Sequence, residues 1–119
     1  MGLECKKNGT VFLFYLSGEL DHHSCIPIRE ELDKVICHYR VKRVIFDFSA
    51  VSFMDSAGIG LLLGRYREIA KFGGKCVILC ESEKIKKILQ MGSVQLVMPI
   101  VETKQEAYEK LGGTENGTI

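Results

Sequence analysis

A serine that follows an aspartate and precedes two glycines is the most chemically suggestive feature of the chain. It lies in the stretch Phe53-Met54-Asp55-Ser56-Ala57-Gly58-Ile59-Gly60, between an apolar run at 44–48 and a helix-like run at 61–72. This order predicts a hydroxyl at a helix N-terminus, where free N–H groups and the positive end of the helix dipole favour negative charge. A nucleophile, an anion site and a phosphorylation site can all use that geometry.

A second polar segment, residues 18–23, follows another apolar run at 11–16. In open α/β sheets, functional groups gather beyond the carboxyl ends of the strands. We therefore expect the loops at 18–23 and 49–56 to share one surface, with a third loop at 81–82. The candidate residues on the first two loops are Glu19, Asp21, His22, His23, Asp55 and Ser56.

A serine hydrolase would need the pattern G-x-S-x-G between a strand and a helix. Gly58 fits the second glycine, but Met54 occupies the place of the first. His22 or His23 could act as the base with Asp21 as its partner. The chain is short for such an enzyme and offers no separate substrate-binding element. We therefore expect no catalytic residues.

Nucleotide and metal sites are alternatives for the same segments. The glycines at 58, 60 and 64 miss the pattern G-x-G-x-x-G by one residue, and the phosphate-binding loop with its lysine is absent. The predicted role of Gly60 and Gly64 is close packing of the helix on the sheet. The histidines at 22 and 23 lack a third metal ligand at a recognisable spacing. An anion bound at the helix N-terminus after Ser56 stays open as an alternative.

A regulatory serine is the remaining interpretation, and it shares its geometry with an ordinary N-cap, the simplest role for Ser56. Phosphorylation adds roughly −1.5 to −2 charges, which a helix N-terminus tolerates. The new charge would lie near Asp55, Asp21 and Glu19. A partner fitted to this surface would therefore be repelled without unfolding of the domain.

Composition predicts one globular domain. The 119 residues are 46% hydrophobic and 26% charged, and the formal net charge is +1. These values argue against disorder and membrane spanning. Lys84, Lys86 and Lys87 form the densest basic group, without the interleaved aromatic residues typical of nucleic-acid binding. Five cysteines without C-x-x-C or a recognisable signal peptide predict free thiols and a cytoplasmic location.

Apolar runs alternate with amphipathic helices in the order β-β-α-β-α-β-α-(β)-α. This order predicts an α/β fold with four or five strands, mainly parallel, an antiparallel N-terminal edge and about four helices. We expect one domain over residues 1–112 and a flexible tail over 113–119. Asp33 and Arg65 are assigned to the solvent faces of their helices. We expect a turn at Asn8-Gly9 and helix N-caps at Ser24, Ser82 and Thr103, with Pro27 in the first turn of its helix. The predicted strands end at Leu16, Phe48 and Cys80, and a last strand is expected over 96–101.

The segments at 18–23 and Ser52-Phe53-Met54-Asp55-Ser56-Ala57-Gly58-Ile59-Gly60, followed by Leu63-Gly64-Arg65-Tyr66, resemble the STAS-domain anti-sigma factor antagonists. The likeness covers nearly the whole chain. It is greatest to the members that act in sporulation, through the D-H-H and L-G-R-Y elements. The resemblance implies the STAS fold and a regulatory protein without catalytic activity, cofactor or metal.

The resemblance also implies partners and site residues. The unphosphorylated protein would bind an anti-sigma factor that is also a serine kinase using ATP, and so release the sigma factor. Phosphorylation of Ser56 would dissociate the complex, and a PP2C-type phosphatase would restore it. Ala57 leaves Ser56 as the only hydroxyl within the Asp-Ser-x-Gly element at 55–58. The resemblance assigns a partner contact to Asp21. The predicted partner-binding residues on the motif surface are Glu19, Asp21, His22, His23, Met54, Asp55, Ser56, Ala57, Gly58, Ile59 and Gly60.

Overall fold

A computed structural model of the chain describes residues 2–113. The order of strands and helices is the predicted one, with a short 3-10 helix added before the last strand. The elements are β1 (Leu3–Asn8), β2 (Val11–Leu20), α1 (His22–Tyr39), β3 (Arg43–Met54), α2 (Ser56–Ala70), β4 (Lys75–Leu79), α3 (Glu83–Met91), the 3-10 helix Val94–Leu96, β5 (Ile100–Val101) and α4 (Lys104–Lys110).

The five strands form one mixed sheet in the order β1-β2-β3-β4-β5. β1 pairs with β2 in antiparallel fashion and the other neighbours are parallel, which confirms the predicted fold class. The hairpin loop consists of Gly9 and Thr10, because Asn8 still pairs with Val11. The turn therefore lies one residue later than predicted, and Gly9 supplies its positive φ of 63°.

Helices cover both faces of the sheet. On one face, α1, α2 and α3 contribute Leu32, Leu62 and Leu89 to the larger hydrophobic cluster. On the other face, α4 contributes Ala107 and Tyr108 to a smaller one. Strands buried on both faces need apolar residues at consecutive positions. This requirement explains the nearly uninterrupted apolar runs at 11–16 and 44–48.

The central strands extend beyond their predicted ends. β2 continues to Leu20 and β3 to Met54, so the predicted loops at 18–20 and 49–54 are strand. Two register shifts, between Tyr15 and Ser17 and between Gly18 and Glu19, insert extra β3 residues into the ladder. Such bulges break the period-two pattern of a strand and give the segment a loop-like sequence. The predicted strand at 96–101 shortens to two residues, and Pro99 lies outside it.

Helix α1 begins earlier than predicted. Its N-cap is Asp21, so the prediction of a Ser24 cap was wrong and Pro27 lies inside the helix. His22 and His23, expected in a loop, form its first turn. The N-caps predicted at Ser82 and Thr103 are confirmed, because their side chains accept from the N–H groups of Ile85 and Glu106.

Cys76 and Cys80, which were expected in a buried strand, are buried. Cys76 and Cys80 lie in the core, and burial raises the pKa of Cys76 to about 12. All five cysteines are free, and Cys5 and Cys37 are exposed. Within residues 2–113, no helix combines the length and apolarity that crossing a bilayer requires. Positions 114–119 of the predicted tail lie outside the described residues.

Candidate functional site

The carboxyl ends of β2 and β3 lie side by side and bring the two polar segments together. Glu19 pairs with Phe53 and Leu20 with Met54 in the parallel ladder. The N–H of Asp55 then donates to the carbonyl of Leu20 across 3.3 Å. The N-termini of α1 and α2 are therefore neighbours on one surface, which is the convergence predicted for the loops at 18–23 and 49–56.

Asp21 and Ser24 close the start of α1 with a reciprocal capping box. The N–H of Ser24 donates to Oδ1 of Asp21 at 2.9 Å, and the N–H of Asp21 donates to Oγ of Ser24 at 3.0 Å. The Ser24 hydrogen bonds, followed by smaller contributions from His23, lower the pKa of Asp21 from 3.8. Asp21 is therefore a charged, locally ordered group at the edge of the site.

Asp55 is the N-cap of α2, and Ser56 is the first residue of the helix. Oδ1 of Asp55 accepts from the N–H of Ala57 at 2.8 Å, and the Asp55 carbonyl accepts from the N–H of Gly58 at 3.0 Å. Ser56 therefore does not have the capping role considered above. Its side chain is exposed, and no group within residues 2–113 hydrogen-bonds to its hydroxyl.

Gly58 is the glycine that packing requires. A Cβ added there would lie 2.3 Å from Cγ of Met54 and 3.3 Å from Cβ of Leu20. At Gly60 and Gly64 an added Cβ would meet nothing within 4 Å. The predicted packing role of Gly60 and Gly64 was therefore wrong. These two positions leave open space along α2.

The predicted partner-binding residues fall into two layers. Met54 and Gly58 are buried and support the surface from below. The exposed or partly exposed layer comprises Glu19, Asp21, His22, His23, Asp55, Ser56, Ala57, Ile59 and Gly60.

The two histidines stand close together at the start of α1. Their ring centroids lie 5.7 Å apart in an edge-on arrangement, and both side chains are exposed. Three or more metal-ligating His, Cys, Asp or Glu side chains do not cluster anywhere in residues 2–113. Because both rings are exposed, the histidine pair is accessible from solvent.

A groove between α1 and α2 adjoins the site, and the sequence interpretation missed it. Its volume is about 390 Å³. Its lining residues are His22, Cys25, Ile26, Arg29, Ala57, Gly60, Leu61 and Arg65. Burial, followed by the charges of Asp55 and Asp21, raises the pKa of the Cys25 thiol. Cys25 therefore lines the groove as a neutral thiol rather than as a reactive thiolate.

Arg65 is buried at the α1–α2 interface, which corrects its assignment to a solvent face. It is 9% exposed, and its Nε lies 2.9 Å from Oδ1 of Asp33 on α1. Asp33, also assigned to solvent, is partly buried by this contact. Arg65 stands four residues after Leu61 and four before Ile69, both of which are buried. That spacing is the signal in the sequence that could have placed Arg65 on the inner face of α2.

Phe53 on β3 and Lys84 on α3 lie next to the site. Phe53 is 40% exposed at the end of β3, and Nζ of Lys84 lies 5.8 Å from its ring centroid. Lys86 instead pairs with Glu83 and Glu102 at 3.1 and 2.7 Å. Of the basic group on α3, Lys84 is therefore the residue placed toward the site.

Comparison with known proteins identifies relatives along nearly the whole chain. Residues 3–107 match the model of the STAS domain family. An anti-sigma F factor antagonist of Lysinibacillus sphaericus is 35% identical over 86% of this chain and 86% of its own. An anti-sigma F factor antagonist of Paenibacillus polymyxa is 30% identical over 92% of this chain and 93% of its own.

Solved structures similar to this chain include the same class of protein. The anti-sigma factor antagonist SpoIIAA in its unphosphorylated form superposes with a TM-score of 0.72 at 32% identity, over 93% of this chain and 98% of that one. The phosphorylated form of the Bacillus cell fate determinant SpoIIAA gives a TM-score of 0.70 at 32% identity, over 91% and 97%.

Proposed function

The chain belongs to the STAS domain family, and on this premise we propose that it is an anti-sigma factor antagonist switched by phosphorylation of Ser56. The unphosphorylated form binds an anti-sigma factor and releases a sigma factor of the sporulation type. The anti-sigma factor is also the serine kinase, and a PP2C-type phosphatase resets the switch. The chain itself acts by binding and is not an enzyme.

The free hydroxyl of Ser56 is the observation that carries this proposal. Asp55 occupies the N-cap, so the Ser56 hydroxyl has no structural hydrogen bond within the described residues and is exposed to solvent. A kinase can therefore reach it without disturbing the cap. In the transfer, Oγ takes the γ-phosphoryl group of ATP, the hydroxyl proton leaves and ADP is released.

The surroundings of Ser56 explain how a phosphate would act. At the start of α2, the new negative charge meets the positive end of the helix dipole, so the cost to folding is small. At the surface, the charge stands beside Asp55 and near Asp21. An unpaired charge buried in an interface costs about 3–5 kcal/mol. A phosphate on Ser56 therefore weakens a complex far more than it weakens the domain.

The docking face combines the exposed residues of both segments. We define it as Glu19, Asp21, His22, His23, Asp55, Ser56, Ala57, Ile59 and Gly60. Its members come from the carboxyl ends of β2 and β3 and the first turns of α1 and α2, which rigid hydrogen bonds hold in place. A partner that binds this face covers Ser56. The existence of SpoIIAA in an unphosphorylated and a phosphorylated form supports a switch by phosphorylation.

Phosphate mapping tests the proposal directly. The purified chain is incubated with the serine kinase of its source cell and ATP, and the phosphorylated residue is mapped by mass spectrometry. We expect one phosphate, on Ser56, and none on a Ser56→Ala variant. Phosphate on Ser24 or Ser52 instead, or equal labelling of the Ser56→Ala variant, would contradict the proposed function.

A further inference from the structure

The α1–α2 groove is lined by basic side chains and by apolar residues such as Ile26 and Leu61. His22 and Arg29 line it from α1, and Arg65 lines it from α2. Arg29 forms no ion pair with any carboxylate in the described part of the chain. Its charge acts on both Cys25 and Arg65, so it lies among the groove residues rather than away from them.

Arg65 brings unsatisfied hydrogen-bond donors to this groove. Neither Nε nor Nη1 makes a hydrogen bond within residues 2–113, and both are out of contact with water. The Asp33 carboxylate lies at ion-pair distance from Nε, without hydrogen-bond geometry. Native proteins seldom leave buried donors unpaired, and each such group calls for an explanation. The guanidinium of Arg65 lines the groove, and its positive charge favours an oxyanion there.

Ser56 stands at the mouth of the groove. It lies four residues before Gly60, and residues four apart share one face of a helix. Gly60 lines the groove and leaves open space where a Cβ would project. Ala57, the neighbour of Ser56, lines the same groove. A group attached to the Ser56 hydroxyl would therefore adjoin the open space beside Gly60, in the groove that Arg29 also lines.

We propose that the α1–α2 groove is a binding site for a phosphate monoester, and that the phosphate carried by Ser56 is its occupant. Arg29 binds the phosphate oxygens, His22 donates from the groove mouth, and Arg65 supplies positive charge from below. The inference rests on the proposed phosphorylation of Ser56. It adds that the modified serine folds back onto its own domain, so the phosphorylated form closes the groove and slows removal of the phosphate.

The test uses the full chain with phosphoserine incorporated at position 56 during translation, so that no kinase is needed. The second pKa of the phosphate is measured by ³¹P NMR, and dephosphorylation by alkaline phosphatase is timed. We expect Arg29→Gln to raise that pKa by about half a unit or more, because a cation beside the dianion is lost. We also expect this variant to accelerate dephosphorylation several-fold. Arg67→Gln, exposed on α2 outside the groove, is the matched control and should change neither quantity.

A pair of glycine variants tests the groove by filling it. Gly60→Leu places a side chain in the groove, whereas Gly64→Leu adds the same side chain one turn away, outside the groove lining. Both positions have free space for the new Cβ, so neither substitution creates a clash at that atom. We expect only Gly60→Leu to reproduce the effects of Arg29→Gln. A phosphoserine signal that responds to neither Arg29→Gln nor Gly60→Leu overturns the proposal.

Titration with inorganic phosphate tests whether the groove is occupied by the phosphate on Ser56 or by free phosphate from solution. The unphosphorylated chain should bind inorganic phosphate weakly, with Arg29 required, and the phosphoserine chain should not bind it. Equal binding by both forms overturns the assignment of Ser56 phosphate as the occupant. Failure of the kinase to label Ser56 is a separate result, which would count against the proposed function alone.

Discussion

Asp55 and Ser56 divide two tasks between adjacent residues. The Asp55 carboxylate caps α2 through the N–H of Ala57 at 2.8 Å, and this bond uses the position where a serine could also cap. Ser56 is thereby left exposed at the first helical position. The Asp55 cap does not use the Ser56 hydroxyl, so a group added to that hydroxyl leaves the cap bond in place. The observed arrangement separates the proposed phosphorylation site from the residue that caps the helix.

The glycines of the motif differ in what they contribute. We expect Gly58→Ala to destabilise the fold, because its Cβ would lie 2.3 Å from Cγ of Met54 and the Met54 side chain would have to move. We expect Gly60→Ala to stabilise it by about 0.5–1 kcal/mol, since alanine is the better helix former and the space is free. Urea denaturation measures both free energies of unfolding. Equal effects of the two substitutions would contradict this division.

At the scale of elements, the cap of α1 makes part of the stability depend on pH. The pKa of Asp21 is lowered in the folded state, chiefly by the Ser24 N–H. The unfolded chain therefore binds more protons as the pH falls. The contribution of Asp21 is fully present above the unfolded pKa of about 4 and is lost as the pH falls through the folded pKa.

Asp21→Ala should therefore lower the free energy of unfolding at pH 7 and have a smaller effect at pH 3. Urea denaturation at both pH values measures the difference from the unsubstituted chain. Glu30→Ala, on the exposed side of the same helix, is the control. A deficit for Asp21→Ala that is the same at pH 3 and pH 7 would show that the carboxylate charge is not involved.

The contact between Arg65 and Asp33 joins α1 to α2. We expect Asp33→Ala to destabilise the fold by about 1–2 kcal/mol, because it leaves a buried guanidinium without its counter-charge. The cost stays below that of a fully buried pair, since the Asp33 side chain is 47% exposed. Adding Arg65→Met should recover most of the loss, because an apolar side chain of similar length needs no partner. Additive destabilisation in the double variant would indicate that the pair is not coupled.

At the scale of the whole molecule, the sheet brings the residues of the proposed docking face together. The parallel pairing of β2 and β3 brings Glu19 beside Phe53, and the helices that follow pack on the same face of the sheet. The face is thus assembled from two segments more than thirty residues apart in the chain. We therefore expect a charge added there to act on partners and to leave the core beneath unchanged.

Replacement of Ser56 by aspartate tests this separation of fold and binding. We expect Ser56→Asp to change the free energy of unfolding by less than about 1 kcal/mol, because the helix N-terminus accepts a negative charge. Affinity for the anti-sigma factor should fall by about 150-fold or more, which corresponds to the cost of about 3–5 kcal/mol for a desolvated unpaired charge. Calorimetric titration and urea denaturation measure the two quantities. Thr10→Asp, in the hairpin at the opposite end of β2, is the control. A large loss of stability in Ser56→Asp would contradict an effect at the interface.

Local patterns in the sequence determined the kinds and order of the elements. Apolar runs buried on both faces and amphipathic helices predicted the parallel sheet. The Asp-Ser-x-Gly element predicted an exposed serine at the start of α2. These features depend on neighbours within a few residues, through helix caps, turn preferences and side-chain periodicity. The resemblance carried by the same residues identified the STAS family, which the comparisons confirmed.

Tertiary structure alone decided the features that depend on residues distant in sequence. The bulged ladder extended β2 and β3 to Leu20 and Met54, because pairing between strands outweighs the loop-like composition of these segments. Contact with Asp33 on another helix placed Arg65 inside the molecule. Open space beside Gly60, and with it the α1–α2 groove, exists only once both helices have packed on the sheet. Local patterns identify Ser56, and packing determines which charged groups surround it.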